Sequence, residues 1–211
     1  MGTRGRELMT PTRFSLTVLL TTILATPALA LGEGARAWMS DAGYVPPTTE
    51  RLVVCHGYGC TRREVIAIDT DWFARFGAAM RAGRTSPAAE REALRAAIRT
   101  YTASLSRHLG GEPDAAKSPP SLSGAHGQMD CLDVSANTTS LLLVLKDRGL
   151  MVHHDVEVPA SRGFFLDGRY PHTTAVISDT SGGTTWAVDP WSQMPGGNPE
   201  VVPLERWKQE G

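Results

Sequence analysis

Three residues of this 211-residue chain have the types and settings of a thiol nucleophile with its base and orienter. Cys131 lies in Gly127-Gln128-Met129-Asp130-Cys131-Leu132-Asp133, where Asp130 is the expected N-cap and Cys131 the first helical residue. Unpaired backbone N–H groups and the helix dipole favour a thiolate at such a position, which makes Cys131 a candidate nucleophile. The plainer reading, a small buried hydrophobe, is what most free cysteines are. The predicted helix carries the apolar run Leu141 to Leu145 and stops at Gly149, with Lys146 and Arg148 in its last turn. His172 and Asp189 supply the other two side chains that nucleophilic catalysis by a thiol requires.

The cysteine count is odd, so one thiol is left over in any paired scheme. Cys55 and Cys60 enclose His56-Gly57-Tyr58-Gly59, and two glycines let so short a loop close into a local disulfide. Cys131 is then the free one. The alternative makes Cys55, His56 and Cys60, with His153 and His154, a metal site. Its spacing is a weak zinc signal, and adjacent residues on a strand point to opposite faces. The expectation is therefore no metal and no cofactor.

Residues 1–30 read as a secretory signal peptide: Arg4, Arg6 and Arg13, then an apolar stretch from Phe14 to Ala25, then Ala28-Leu29-Ala30 at a cleavage-site spacing. The expected location is exported, periplasmic or secreted, with an uncleaved anchor as the lesser alternative. Removing three arginines and one glutamate with the leader takes the formal charge from −1 to −3. No basic patch argues for nucleic acid. No later stretch approaches the roughly 20 apolar residues of a membrane span. The expected partner is a protein or peptide substrate, or a cell-envelope component.

The elements that must position the three residues follow from periodicity. Residues 31 to 50 look like an irregular arm, with one helical turn from Ala35 to Ser40. Arg51 to Cys55 and Arg63 to Asp69 are short β-branched runs joined by the cysteine loop. A helix capped by Thr70 or Asp71 carries Trp72, Phe73, Phe76 and Met80 and runs out at Gly83. A second opens at Ser86-Pro87 and repeats Leu94, Ile98, Tyr101 and Leu105, with Glu90, Arg91, Glu92, Arg95 and Arg99 as a solvated face. Residues 110 to 127 form a Gly-, Pro- and Ser-rich linker. Alternation then predicts strands over Met151 to Val158, Tyr170 to Ser178 and Thr184 to Asp189, with a turn-rich passage from Ser161 to Arg169. In the first of these, Val152, His154, Val156 and Val158 share a side. Pro190 ends the last strand, and Trp191 to Gly211 is expected to be an extended strap offering Val201, Val202, Leu204 and Trp207 to the core.

The last hairpin connects His172 to Asp189. If Ser178 pairs with Gly183 around a four-residue turn, Asp189 falls directly opposite His172, at a Cβ separation of about 5 Å. Ala175 then faces Trp186, and Thr173 faces Val188. In that arrangement His172 stabilises the Cys131 thiolate and Asp189 orients the imidazole. The backbone N–H of Cys131 and the Gln128 amide are the expected oxyanion donors.

Asp130-Cys131-Leu132-Asp133, His172 at a strand start, and Trp186-Ala187-Val188-Asp189-Pro190 together resemble the transglutaminase-like superfamily of papain-fold cysteine enzymes. The resemblance covers residues 127–191. It implies an α+β fold with the nucleophile helix packed on an antiparallel sheet, a catalytic set of Cys131, His172 and Asp189, and cleavage of an amide or peptide bond through a thioester. A catalytically silent binding module on the same fold is the alternative. The expected organisation is a single domain over 31–211: a loop and helical part over 31–109, the core over 127–191 and the strap over 192–211.

Overall fold

A computed structural model describes residues 1–2, 32–163 and 170–210. The expected leader and the Phe164 to Arg169 part of the turn-rich passage lie outside the described residues.

The fold is mixed α+β with two antiparallel sheets. Helix α1 (Glu33–Asp41) precedes a two-stranded ribbon, β1 (Arg51–His56) and β2 (Arg62–Ala67). Helices α2 (Thr70–Gly83) and α3 (Pro87–Leu109) pack on each other, and α4 (Cys131–Asp147) follows the linker. A meander of β3 (His154–Arg162), β4 (His172–Asp179), β5 (Thr185–Asp189) and β6 (Glu200–Pro203) leads to the short helix α5 (Leu204–Gln209). Among the described residues no helix is long and apolar enough to cross a membrane.

Helix α4 is central, with β1 on one side and β3 and β4 on the other. Every residue from Asp133 to Leu145 is buried, so this helix has no solvated stripe. That explains why polar residues inside it are tied down: Asn137 accepts from the Cys55 N–H at 2.8 Å and donates to the Cys55 carbonyl at 2.7 Å. A buried amide with both ends satisfied fixes α4 against β1 where an apolar residue would leave the strand's backbone groups unpaired. The main core joins Leu141, Leu142, Leu143 and Leu145 to Met39, Leu52, Phe76, Leu94, Ile98 and Ile177. A smaller cluster of Val176, Ala187, Leu204 and Trp207 covers the other face of the sheet.

Several sequence expectations are corrected. The arm contains a nine-residue helix, α1, because Ala35 and Met39 sit one turn apart and both bury in the core. The cap of α2 is Asp69, whose carboxylate accepts from the Trp72 N–H at 2.8 Å, one residue ahead of the expected pair. Ser86 caps α3 as its sequence predicts, but the charged face is not uniformly solvated. Glu90 is fully buried, the Arg91 guanidinium lies 3.7 Å from the Trp186 ring centroid, and Arg95 donates to the Val201 carbonyl. Strand β3 begins at His154, and Val158 is exposed because the register shifts between Glu157 and Ala160, around Pro159. A bulge there breaks the two-residue alternation, and proline cannot contribute a ladder N–H.

The register of β4 and β5 also differs. Ala175 pairs with Val188 and Ile177 with Trp186, and the Asp179 N–H meets the Thr184 carbonyl at 3.1 Å. The turn is thus Thr180 to Gly183, two residues from the expected pairing. A slip of one would have turned His172 and Asp189 to opposite faces; a slip of two preserves the face and leaves the pair diagonal.

Candidate functional site

Cys131 stands at the mouth of α4, half-buried and unpaired. Asp130 caps the helix, its side chain accepting from the Asp133 N–H at 2.8 Å. Cys55 and Cys60 form a disulfide. Between them the backbone runs through four consecutive left-handed residues, with φ of 82° at Gly57, 69° at Tyr58, 58° at Gly59 and 58° at Cys60. Two glycines make half of this turn inexpensive, whereas each non-glycine costs on the order of 1–2 kcal/mol. What holds it is its set of inward N–H groups. Gly57 donates to the Gln128 carbonyl at 2.6 Å, Tyr58 and Cys60 to the two oxygens of Asp133 at 2.8 and 2.6 Å, and Gly59 to Asp130 at 3.0 Å. The disulfide loop is therefore a clamp on the first turn of the cysteine helix.

The clamp disposes of the metal alternative. The Cys55 and Cys60 sulfurs and an Asp133 oxygen lie within 4.8 Å of one another, but the sulfurs are bonded to each other and offer no thiolate. His56 accepts from the Gly127 N–H at 3.2 Å, and His154 is held far along the chain by Glu90 and Asp179.

His172 and Asp189 meet across the hairpin, His172 Nε2 to Asp189 Oδ2 at 2.6 Å, both side chains buried. The same Oδ2 accepts from the Trp207 indole N–H at 2.9 Å, and Oδ1 accepts from the Trp191 backbone N–H at 3.1 Å. The imidazole lies between two indoles, with centroids 4.4 Å from Trp191 and 5.4 Å from Trp207. Three donors converge on the carboxylate, and the aromatic walls restrict water. With Nε2 carrying the proton toward Asp189, Nδ1 is the acceptor nitrogen; it is buried and has no hydrogen-bond partner among the described residues.

Cys131 and His172 line one cavity of about 430 Å³, together with Asp130, Thr173, Tyr170 and Trp191. A second, larger cavity of about 680 Å³ lies against His172, Asp189 and Trp191 and does not include the cysteine. Burial pushes the Cys131 thiol above its ordinary value; a backbone hydrogen bond at Thr173 opposes this, while the Asp130 and Asp189 charges reinforce it. Attack by this sulfur thus requires a base to take its proton as it reacts, in place of a thiolate already formed.

Gln128 is turned away from the cavity. Its Oε1 accepts from the Ala115 N–H at 3.0 Å, and its Nε2 donates to the Pro113 and Glu112 carbonyls at 3.0 and 3.3 Å. Neither end is left for an oxyanion. The amide instead secures the linker, as does buried Asp114, which accepts from the Met129 N–H at 2.9 Å and from Ser118 at 2.8 Å. The linker is thereby one wall of the site. Sequence reasoning missed Trp191, Trp207 and Asp114 as parts of this constellation. The only signal for Trp191 was its place next to Asp189-Pro190; nothing local marks the other two.

Comparison with models of known families, with curated proteins and with solved structures returns no match for this chain.

Proposed function

We propose that this protein is an exported cysteine hydrolase with a transglutaminase-like, papain-type core, cleaving an amide or peptide bond. The observation that carries the reading is the buried His172–Asp189 pair at 2.6 Å, whose imidazole has an unpartnered Nδ1 and lines the same cavity as Cys131. The order of elements, a cysteine at a helix mouth followed by histidine and aspartate on adjacent strands, supports it. The disulfide accords with an oxidising compartment.

His172 takes the proton from Cys131 Sγ as the sulfur attacks the substrate carbonyl carbon. The N–H of the first helical residue has no intrahelical acceptor and meets the developing oxyanion. His172 returns the proton to the departing amine nitrogen as the C–N bond breaks, leaving a thioester on Cys131. Water then attacks the thioester with His172 again acting as base. Asp189 fixes the tautomer throughout, itself held by Trp207 and Trp191.

The test is reaction with p-nitrophenyl acetate at pH 7 with peptide mapping. Cys131 is expected to form an acetyl thioester that turns over, and both acetylation and turnover are expected to be lost in the folded His172→Ala protein. A Cys131 that is not acetylated removes the hydrolase reading in favour of the silent binding module.

A further inference from the structure

The disulfide loop lies outside residues 127–191, the stretch that carries the family resemblance, yet it grips the turn on which the nucleophile sits. Asp133 has no exposed surface, and loop N–H groups occupy both its oxygens, Tyr58 on Oδ2 and Cys60 on Oδ1. Asp130 divides its side chain. One oxygen accepts from the Asp133 N–H that begins the helix, and the other accepts from the Gly59 N–H. Cys131 therefore follows one carboxylate and precedes another, and the loop holds both. The loop also forms part of the cavity wall: Tyr58 lines the cysteine cavity, and its hydroxyl donates to the Pro119 carbonyl at 2.6 Å.

The two ends of the disulfide are held by different means. Cys55 belongs to β1, opposite Arg63, and Asn137 binds both its backbone groups. None of those bonds involves its sulfur. Cys60 lies between the strands, in a left-handed conformation that a side-chain-bearing residue keeps only where its surroundings impose it. The bond to Cys55 is the covalent part of that restraint. With the bond open, Tyr58 and Cys60 are free to leave the left-handed region, and the carboxylate of Asp133 then loses its donors. A buried carboxylate without donors is unfavourable, so the first turn of α4 opens to hydrate it. The rest of the helix keeps its own holds, Asn137 on β1 and the leucines from Leu141 to Leu145 in the core. The loosening is accordingly local to the turn that carries Cys131. Both sulfurs are buried, so the bond closes as the loop docks.

We propose that the Cys55–Cys60 bond is an oxidative switch for the cysteine site: closed, it fixes the first turn of α4 and sets Cys131 in its cavity, and open, it leaves that turn unclamped and the site inactive. Its effect on turnover rests on the hydrolase reading; its effect on the helix turn does not. The switch closes by thiol–disulfide exchange with a small-molecule or protein disulfide. One thiolate of the pair attacks the oxidant's disulfide and displaces a thiolate, and the second then attacks the mixed disulfide and displaces the other. Cys55 and Cys60 are oxidised, the oxidant is reduced to two thiols, and the protons of the pair end on them. An oxidising compartment thus completes the site, and a reducing one leaves it unfinished.

The experiment compares oxidised wild-type protein with Cys55→Ala/Cys60→Ala and with wild-type protein refolded in dithiothreitol and desalted without oxygen. Amide hydrogen exchange followed by NMR reads the helix turn without chemistry. The N–H groups of Asp133 and Val134, both bonded to Asp130, are expected to exchange about tenfold faster or more in the two open forms. Those of Leu141 to Leu145 are expected to stay as slow as in the oxidised protein. Turnover of p-nitrophenyl acetate is expected to fall by about tenfold or more in both open forms, in step with the exchange. If Cys131 is not acetylated even in the oxidised protein, the hydrolase reading fails by itself and the exchange contrast alone decides the switch. Equal exchange in open and closed forms overturns it. So does full turnover in a folded open form, and so does loss of protection from Leu141 to Leu145, which would make the disulfide a staple of the whole fold.

Discussion

Two buried histidine–carboxylate groups are built into the same sheet, and they differ in what is left unused. His154 is saturated: Nδ1 meets Glu90 at 2.9 Å, Nε2 meets Asp179 at 3.0 Å, and Arg91 lies 3.2 Å from the same Nε2. Glu90 in turn accepts the backbone N–H groups of Val152, His153 and His154. His172 has one carboxylate, and its Nδ1 has no partner among the described residues, in a side chain that lines a cavity. The first arrangement joins α3 to the edge of the meander and has no atom to offer a substrate. The second holds an imidazole rigidly by one nitrogen and leaves the other unpartnered among the described residues. Residue type alone, a histidine with nearby acids, does not separate structure from chemistry; an unpartnered ring nitrogen on a residue that lines the cysteine cavity does.

The largest effects should therefore cross over. His172→Ala is expected to lower Cys131-dependent turnover by about 10²–10⁴-fold, the range for loss of a general acid–base. His154→Ala strands Glu90 beside Asp179 and is expected to cost about 3–5 kcal/mol of stability. Urea unfolding and p-nitrophenyl acetate turnover measure both quantities on both proteins. If His154→Ala abolishes turnover in the folded protein while His172→Ala only destabilises it, the assignment of roles is reversed.

A smaller effect sharpens the catalytic half of the comparison. Trp207→Phe keeps a ring against His172 and deletes the N–H to Asp189 Oδ2. A hydrogen bond to a charged group contributes about 1.5–3 kcal/mol, so turnover should fall by roughly ten- to a hundredfold if that bond supports the reacting state. The readout that separates positioning from simple destabilisation is kcat against KM in the folded variant, where kcat should fall with KM little changed. An unchanged kcat with only a lower urea midpoint would make Trp207 a packing residue.

Local signals carried the sequence reading far where the physics is local. The caps at Ser86 and Asp130, the apolar run of α4 and the closure of the Cys55–Cys60 loop all depend on neighbours in the chain, and each is where the residues indicate. The diagonal register was misjudged by two because either turn has the same polar residues; the side shared by His172 and Asp189 survived because it depends only on parity. Glu90 looked like one charge among many on an amphipathic face, and its burial is decided by a backbone segment 62 residues away. Gln128 looked free for the same reason: its partners at 112–115 belong to a linker without periodicity. Trp207 reached the site through a strap whose docking no local pattern specifies.

The two regions also differ in the sign of their response to pH. Burial, and after it the charge of Asp130, raises Asp133 to about 7, and burial raises Asp114 to about 6, although backbone N–H groups oppose both shifts. An unfolded aspartate titrates near 3.9. Between about pH 4 and 7 the native state thus binds more protons than the unfolded one, and stability falls as pH rises through that window. Glu90 behaves oppositely. Burial alone would raise it, but the bonds from His154 and from the Val152 and His153 N–H groups outweigh burial and bring it below its ordinary value. Its contribution is complete above the unfolded carboxylate range and is lost as pH falls through the lowered native value. Urea unfolding from pH 3 to 8 should accordingly show an acid-side loss and a separate decline toward neutrality. Asp133→Asn places an amide where two N–H groups converge, so it should cost about 1–3 kcal/mol through one unsatisfied donor. It should also remove the part of the neutral decline between about pH 6 and 7 while leaving the acid side intact. A neutral limb that persists in this variant would detach it from the clamp on the cysteine helix.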